Sequence, residues 1–151
     1  MAMFGGLPQP PSHPSDRYTR TNPLRREGGL RLLTGNLPEP LRWAIIAAWR
    51  RPNPFPNAAY APELPSPRRQ RPHPSSLFGK PPRILGYLAL IELELARRLV
   101  EAPQASMAPA LRNTMLFEAG LYLGQVYLAL AEQIGEPAAL AEFKRLLPEV
   151  G

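Results

Sequence analysis

The chain has no cysteine, two histidines and two lysines in 151 residues. The missing cysteine excludes a disulfide framework, a cysteine-ligated zinc site and a thiol nucleophile. His13 and His73 stand far apart among prolines and serines. Neither has the spaced partners of a metal or acid–base site, so each reads as a solvated or backbone-bonded ring. Neither GxGxxG nor GxxxxGK(S/T) occurs, and no glycine-rich phosphate loop is expected. No uncharged apolar run reaches the ~20 residues of a membrane span, so no transmembrane segment is expected. Residues 1–11 lack a cationic start and an apolar stretch, so no secretory signal is expected either. These absences leave no catalytic residue, metal site or cofactor to name. The expectation is a binding and assembly protein, not an enzyme.

What the chain does have is proline and arginine. There are 21 prolines, close to three times the average usage of about 5%. Sixteen arginines dominate the cations, and the net charge is +6. Both features divide at Pro81. Residues 1–81 hold twelve cations, four anions and sixteen prolines; residues 82–151 hold six cations, eight anions and five prolines. The first part is therefore net +8 and the second net −2. Such asymmetry suggests a nucleic-acid-binding arm on a folded domain.

Within residues 1–81, prolines at 8, 10, 11 and 14 predict an extended start, because proline fixes φ and restrains its predecessor. Residues 16–37 carry five arginines with Gly28, Gly29 and Gly35 between them; at most a short helix around Leu30–Leu33 is expected there. A helix is predicted at 38–51. Pro38 and Pro40 suit its first turn, Glu39 its dipole, and Pro52 its end. Trp43 and Trp49 in it read as packing anchors. Ten prolines between 52 and 82 predict a second extended stretch, containing Arg68, Arg69 and Arg71 as a strip for phosphate contacts. Pro8–Pro11 and Pro62–Pro65 also fit PxxP, a polyproline ligand pattern.

The second part reads as all-α: helices at 83–102, 107–134 and 137–147, the first two forming a helical hairpin. In the first, Glu94, Arg97, Arg98 and Glu101 form one polar stripe with i,i+3 and i,i+4 pairing. Glu92 falls among Leu88, Ile91, Leu95 and Leu99 and so needs a partner, expected to be an arginine of the same or a neighbouring chain. The second is apolar around most of its circumference and must be buried on most sides. Gly120 and Gly124, four apart, predict close approach of another helix. About 65 residues in three helices make a marginal core, so association of subunits is expected, through Trp43, Trp49, Leu116, Gly120, Leu123, Gly124 and Tyr127.

The expected nucleic-acid contacts are Arg17, Arg20, Arg25, Arg26, Arg31, Arg42, Arg50, Arg51, Arg68, Arg69 and Arg71. Arginine suits bidentate phosphate contacts. The arm's aromatics stand mostly apart from these arginines, which favours sequence-independent backbone binding to a duplex over single-strand stacking. Five Asn and five Gln beside abundant proline fit a hyperthermophile.

Ser15-Asp16-Arg17-Tyr18, followed by Asn22-Pro23, resembles the S-x-R-Y segment and later Asn-Pro of rod-shaped archaeal viruses. The layout of basic arm and helical domain is similar to the major coat proteins of filamentous and rod-shaped archaeal viruses. That resemblance implies a structural virion protein, assembled in the host cytoplasm, that polymerises into a helical filament and packages double-stranded DNA in A-form. It implies pairing with itself or with a second, related coat protein as a heterodimer. The chain departs from the family in its proline content, which interrupts continuous helical wrapping. Two alternatives stand beside it: a subunit of another large assembly, such as a ribosomal RNA-binding protein or a phage head or tail component, and a proline-motif adaptor.

Overall fold

The computed structural model describes residues 23–50 and 70–147. These residues are all-helical, with no strand among them. The helices are α1 (Pro23–Thr34), α2 (Glu39–Trp49), α3 (Pro74–Leu77), α4 (Pro82–Glu101), a 3-10 turn (Gln104–Ser106), α5 (Pro109–Ile134) and α6 (Glu136–Leu146).

Helix α5 is the axle of the fold: α1, α3, α4 and α6 all pack on it, and α2 packs on α1 and α6. This answers the expectation that a helix so apolar must be covered on most sides. Its partners are helices of its own chain. By length and mean hydropathy alone α5 could cross a bilayer, and 56% of its most apolar window is buried inside the chain.

Proline starts most of these helices, occupying the first turn of α2, α3, α4, α5 and α6. Its missing N–H is no loss there, since first-turn N–H groups have no helical partner. Helix α4 buries Leu85, Ala89, Leu93, Ala96 and Val100 along one face. Its outer face carries the expected pairs, Arg97 to Glu101 at 3.3 Å and Arg98 to Glu94 at 3.8 Å. Gly135 takes φ +88° between α5 and α6, a left-handed conformation that favours glycine. Helix α6 then returns Phe143 to the core, where its ring meets Tyr127 edge-on at 5.5 Å.

Helix α1 corrects the expectation of at most a short helix around Leu30–Leu33. It runs twelve residues and buries Gly29, Leu30, Leu33 and Thr34. Two internal glycines cost about 1 kcal/mol each in helix propensity. Burying two leucines returns roughly 1.5–3 kcal/mol each, so packing outweighs propensity. Gly29 also has a positive role, because a Cβ there would lie 2.6 Å from Arg112 Nη2. Residues 23–50 are thus part of the core that includes Leu30, Leu33, Leu41, Ile45 and Trp49, and the packing does not divide at residue 81.

Arg112 ties this core together. It is 3% exposed. Its Nε donates to Leu99 O at 2.9 Å, and its Nη2 donates to Val100 O at 3.1 Å and Arg25 O at 3.3 Å. The first two carbonyls belong to the last turn of α4, the negative end of its dipole. Burial, and secondly the nearby Arg25 charge, bring the Arg112 pKa down to about 10.

Candidate functional site

The expected nucleic-acid residues fall into three groups. Arg17, Arg20, Arg51, Arg68 and Arg69 lie outside the described residues. Arg31, Arg42 and Arg50 lie on α1 and α2 or at their ends. Arg31 is exposed in the last turn of α1. Arg42 stacks its guanidinium 5.0 Å over the Trp43 ring. Arg50 is exposed and meets Glu27 at 3.0 Å, joining the two helices across their outer faces. The third group is engaged inside the fold. Arg26 is buried. Arg25 is half-buried, donates to Ala102 O at 3.3 Å, and has its pKa lowered by burial. Arg71 is committed to Glu92.

The expected subunit-interface residues need a correction. Trp49, Leu116, Leu123 and Tyr127 are buried within the chain itself, so their surfaces are already covered. Gly120 does mark a close helix approach, but the helix is α1: a Cβ at 120 would lie 2.1 Å from Leu33 O. Gly124 is half-buried beside Leu37. Only Trp43 of the set stands in solvent, with its indole N–H 3.4 Å from Glu39. Apolar surface remains exposed on α4, at Ile84, Tyr87, Leu90 and Ile91, and one step around α5. Phe117, Leu121 and Leu128 are 43%, 44% and 48% exposed. Spaced at i, i+4 and i+11, they form one row along the helix.

Beside that row is a cleft of about 510 Å³. One wall is residues 71–74, the chain leading into α3; the other is the face of α5 carrying Glu118, Leu121, Tyr122 and Gln125. Its geometry rests on Arg71. The Arg71 Nε and Nη2 donate to the two carboxylate oxygens of Glu92 at 2.9 and 3.0 Å. Its Nη1 stands 4.0 Å from Glu118, and its guanidinium lies 5.5 Å over the Tyr122 ring. Glu92 is 2% exposed, so the arginine partner expected for it is Arg71, presented from a segment 21 residues earlier.

Tyr122 is 6% exposed, lines the cleft, and its hydroxyl has no hydrogen-bond partner. Burial, then the Glu92 charge, raise its pKa, and Arg71 opposes them. His73 ends the opposite wall. Its Nδ1 accepts from Ser75 N at 3.2 Å and caps α3. Sequence reasoning did not single out Tyr122, which sits in an apolar run. The signal was its spacing: Glu118 at i−4 and Gln125 at i+3 put three polar groups on adjoining turns of one face. No group of three His, Asp or Glu that could hold a metal occurs among the described residues.

No protein-family model matches the chain, and neither a curated protein nor a solved structure does.

Proposed function

We propose that this chain is a structural subunit that self-associates and carries duplex nucleic acid by sequence-independent arginine–phosphate contacts, as the coat protein of a filamentous virion. The observation that carries the reading is the row Phe117, Leu121 and Leu128, left exposed on the central helix of the fold. Apolar side chains aligned on one face favour association, since burying each removes apolar area from water.

The cationic side of the proposal is supported by charge placement. Arg31 and Arg50 face solvent on the α1–α2 surface. Arg17, Arg20, Arg51, Arg68 and Arg69 stand in residues 1–22 and 51–69, where the anions are only Asp16 and Glu63. Residues 1–22 and 51–69 act as the arms in this reading, and residues 23–50 as the body that presents them. α4 and α5 supply the helical pair on which copies stack. Phosphate contact by arginine fixes position without reading bases.

Electron microscopy of the protein from its source, with the 260/280 nm absorbance ratio, tests the proposal. Uniform filaments with bound nucleic acid are expected. Small oligomers free of nucleic acid would overturn it.

A further inference from the structure

We infer that the outer face of α4 pairs with the same face of a second copy of this chain, the two helices running antiparallel about a two-fold axis between Tyr87 and Leu88. The inference rests on the premise of the proposed function that copies associate. It gives that association a second contact, separate from the row on α5.

The first ground is the apolar patch. Ile84, Tyr87, Leu90 and Ile91 are each more than a third exposed, and Tyr87 is 60% exposed. At 3.6 residues per turn they fall within an arc of about 120°, away from the face that buries Leu85, Ala89, Leu93, Ala96 and Val100. Four large apolar side chains on adjoining turns expose a contiguous patch on the order of a few hundred Å², the size that marks an interaction site on a monomer surface.

The second ground is charge, and it selects the occupant. The last two turns of α4 satisfy much of their charge locally, with Arg97 on Glu101 at 3.3 Å. Two charges that bracket the patch are less committed. Arg83, at its N-terminal end, is exposed and makes no ion pair among the described residues. Glu94, at its C-terminal end, has a side chain 63% exposed and stands 3.8 Å from Arg98, beyond a hydrogen bond. An apolar patch with a cation at one end and an anion at the other complements itself when reversed.

The register follows. With Ile84 opposite Ile91 of the second copy, Tyr87 falls opposite Leu88, and Arg83 comes within two residues, about 3 Å along the axis, of the position facing Glu94. Helical side chains lean toward their own N-terminus, so Arg83 and Glu94 of antiparallel helices lean toward one another. The two-fold axis makes this pair twice. Parallel helices would instead set Arg83 against Arg83 and Glu94 against Glu94. A lipid surface or an unrelated protein requires no such match between the two ends of the patch.

A patch of this size on each copy falls below the roughly 1,200 Å² of total area that a stable interface buries. The α4 contact is therefore weak alone and gains by repetition. A subunit with one contact on α4 and another on α5 joins two neighbours, and alternating contacts extend a row of copies unless they close into a ring.

The test uses the full chain carrying Leu121→Glu and Leu128→Glu, which removes the α5 row, in sedimentation from micromolar to millimolar concentration. A reversible dimer is expected. Adding Tyr87→Glu should return it to monomer with an unchanged melting temperature. Arg83→Glu should weaken the dimer on the order of tenfold, and adding Glu94→Arg should restore most of that loss. The chain has no cysteine, so oxidation reports introduced thiols alone. Copies with Ile84→Cys should cross-link to copies with Ile91→Cys. Neither should cross-link to itself, because like positions lie about 10 Å apart along the axis. Monomer at every concentration, a dimer indifferent to Tyr87→Glu, no rescue by the charge swap, or self-cross-linking of either cysteine variant would each overturn the inference. Binding to phosphatidylglycerol vesicles that Tyr87→Glu abolishes, by a chain that stays monomeric, would give the face to lipid and overturn the second copy as occupant. Wild-type filaments with nucleic acid beside a monomeric α5-row variant would sink this contact and leave the proposed function standing. A wild-type chain that is monomeric throughout would remove both.

Discussion

Arg71 reaches back to Glu92 with two parallel hydrogen bonds of 2.9 and 3.0 Å, and so fastens the chain entering α3 against the middle of α4. Glu92 is almost fully buried. Removing one partner of a buried pair strands the other, at about 3–5 kcal/mol. Arg71→Ala should therefore destabilise the protein by roughly that amount in urea unfolding, and the cleft should lose its shape. The double variant Arg71→Met with Glu92→Leu should recover most of the loss, because apolar isosteres of a buried pair are often neutral.

Two glycines should respond in opposite directions. At Gly120 a Cβ would sit 2.1 Å from the Leu33 carbonyl oxygen. Gly120→Ala forces α1 away from α5 and should cost ~1–3 kcal/mol as overpacking. At Gly28 nothing lies within 4 Å of a new Cβ. Gly28→Ala should stabilise α1 by about 0.5–1 kcal/mol through helix propensity. Thermal melts of the two variants check both signs.

Alkaline pH should weaken the fold through its tyrosines. Burial first, and nearby glutamates second, raise the pKa values of Tyr122 and Tyr127 in the folded chain. Above pH 10 the unfolded chain releases these protons while the folded chain holds them. The unfolded state then binds fewer protons, so unfolding free energy falls as pH rises. The stabilisation is fully present below pH 10 and is lost as pH climbs through the raised folded values. Tyr122→Phe removes one of these groups. Its stability advantage over wild type should widen between pH 9 and 11, measured by chemical denaturation at each pH.

The exposed row on α5 should govern association and not folding. Leu128 is half-exposed, so Leu128→Glu should leave the unfolding free energy of the monomer within about 0.5 kcal/mol of wild type, as for most surface changes. Sedimentation should show loss of the larger species. Retained assembly with Leu121→Glu added would place the contact elsewhere.

Duplex binding should depend on the outlying arginines. Charge reversal at Arg68 and Arg69 should weaken binding equally for unrelated sequences. It should also flatten the slope of log K against log salt by about 2, since each phosphate contact contributes about 0.9. Arg31→Glu should act in the same direction at constant stability. Arg26 is buried, and its reversal should instead unfold the chain.

The helices that proline brackets were legible in the sequence. The ranges 38–51, 83–102, 107–134 and 137–147 fall within two residues of Glu39–Trp49, Pro82–Glu101, Pro109–Ile134 and Glu136–Leu146. Proline stops and apolar spacing are local signals, and these helices obey them. Helix α1 was not legible, because Gly28, Gly29 and five nearby arginines argue locally against it. Its reasons are distant in sequence: Arg112 fills the space a side chain at 29 would need, and the Leu33 backbone rests on Gly120. The same distance hid the cleft. That Glu92 needed an arginine could be read from its apolar neighbours, but the choice of Arg71 depends on how residues 70–73 cross α5. Tyr122 showed no local sign of an unpaired hydroxyl, since burial and the lack of a partner are properties of the assembled fold.

The hydrogen bond from Arg112 to the carbonyl of Arg25 spans 87 positions in the chain, and this sets a timetable for synthesis. Translation adds about 5–20 residues per second, so α1 leaves the ribosome roughly 4–17 seconds before the residue that clasps it. Throughout that interval Leu30 and Leu33 have no α5 to cover them. A nascent chain stalled before residue 109 should therefore present α1 to chaperones, and one released after residue 134 should not.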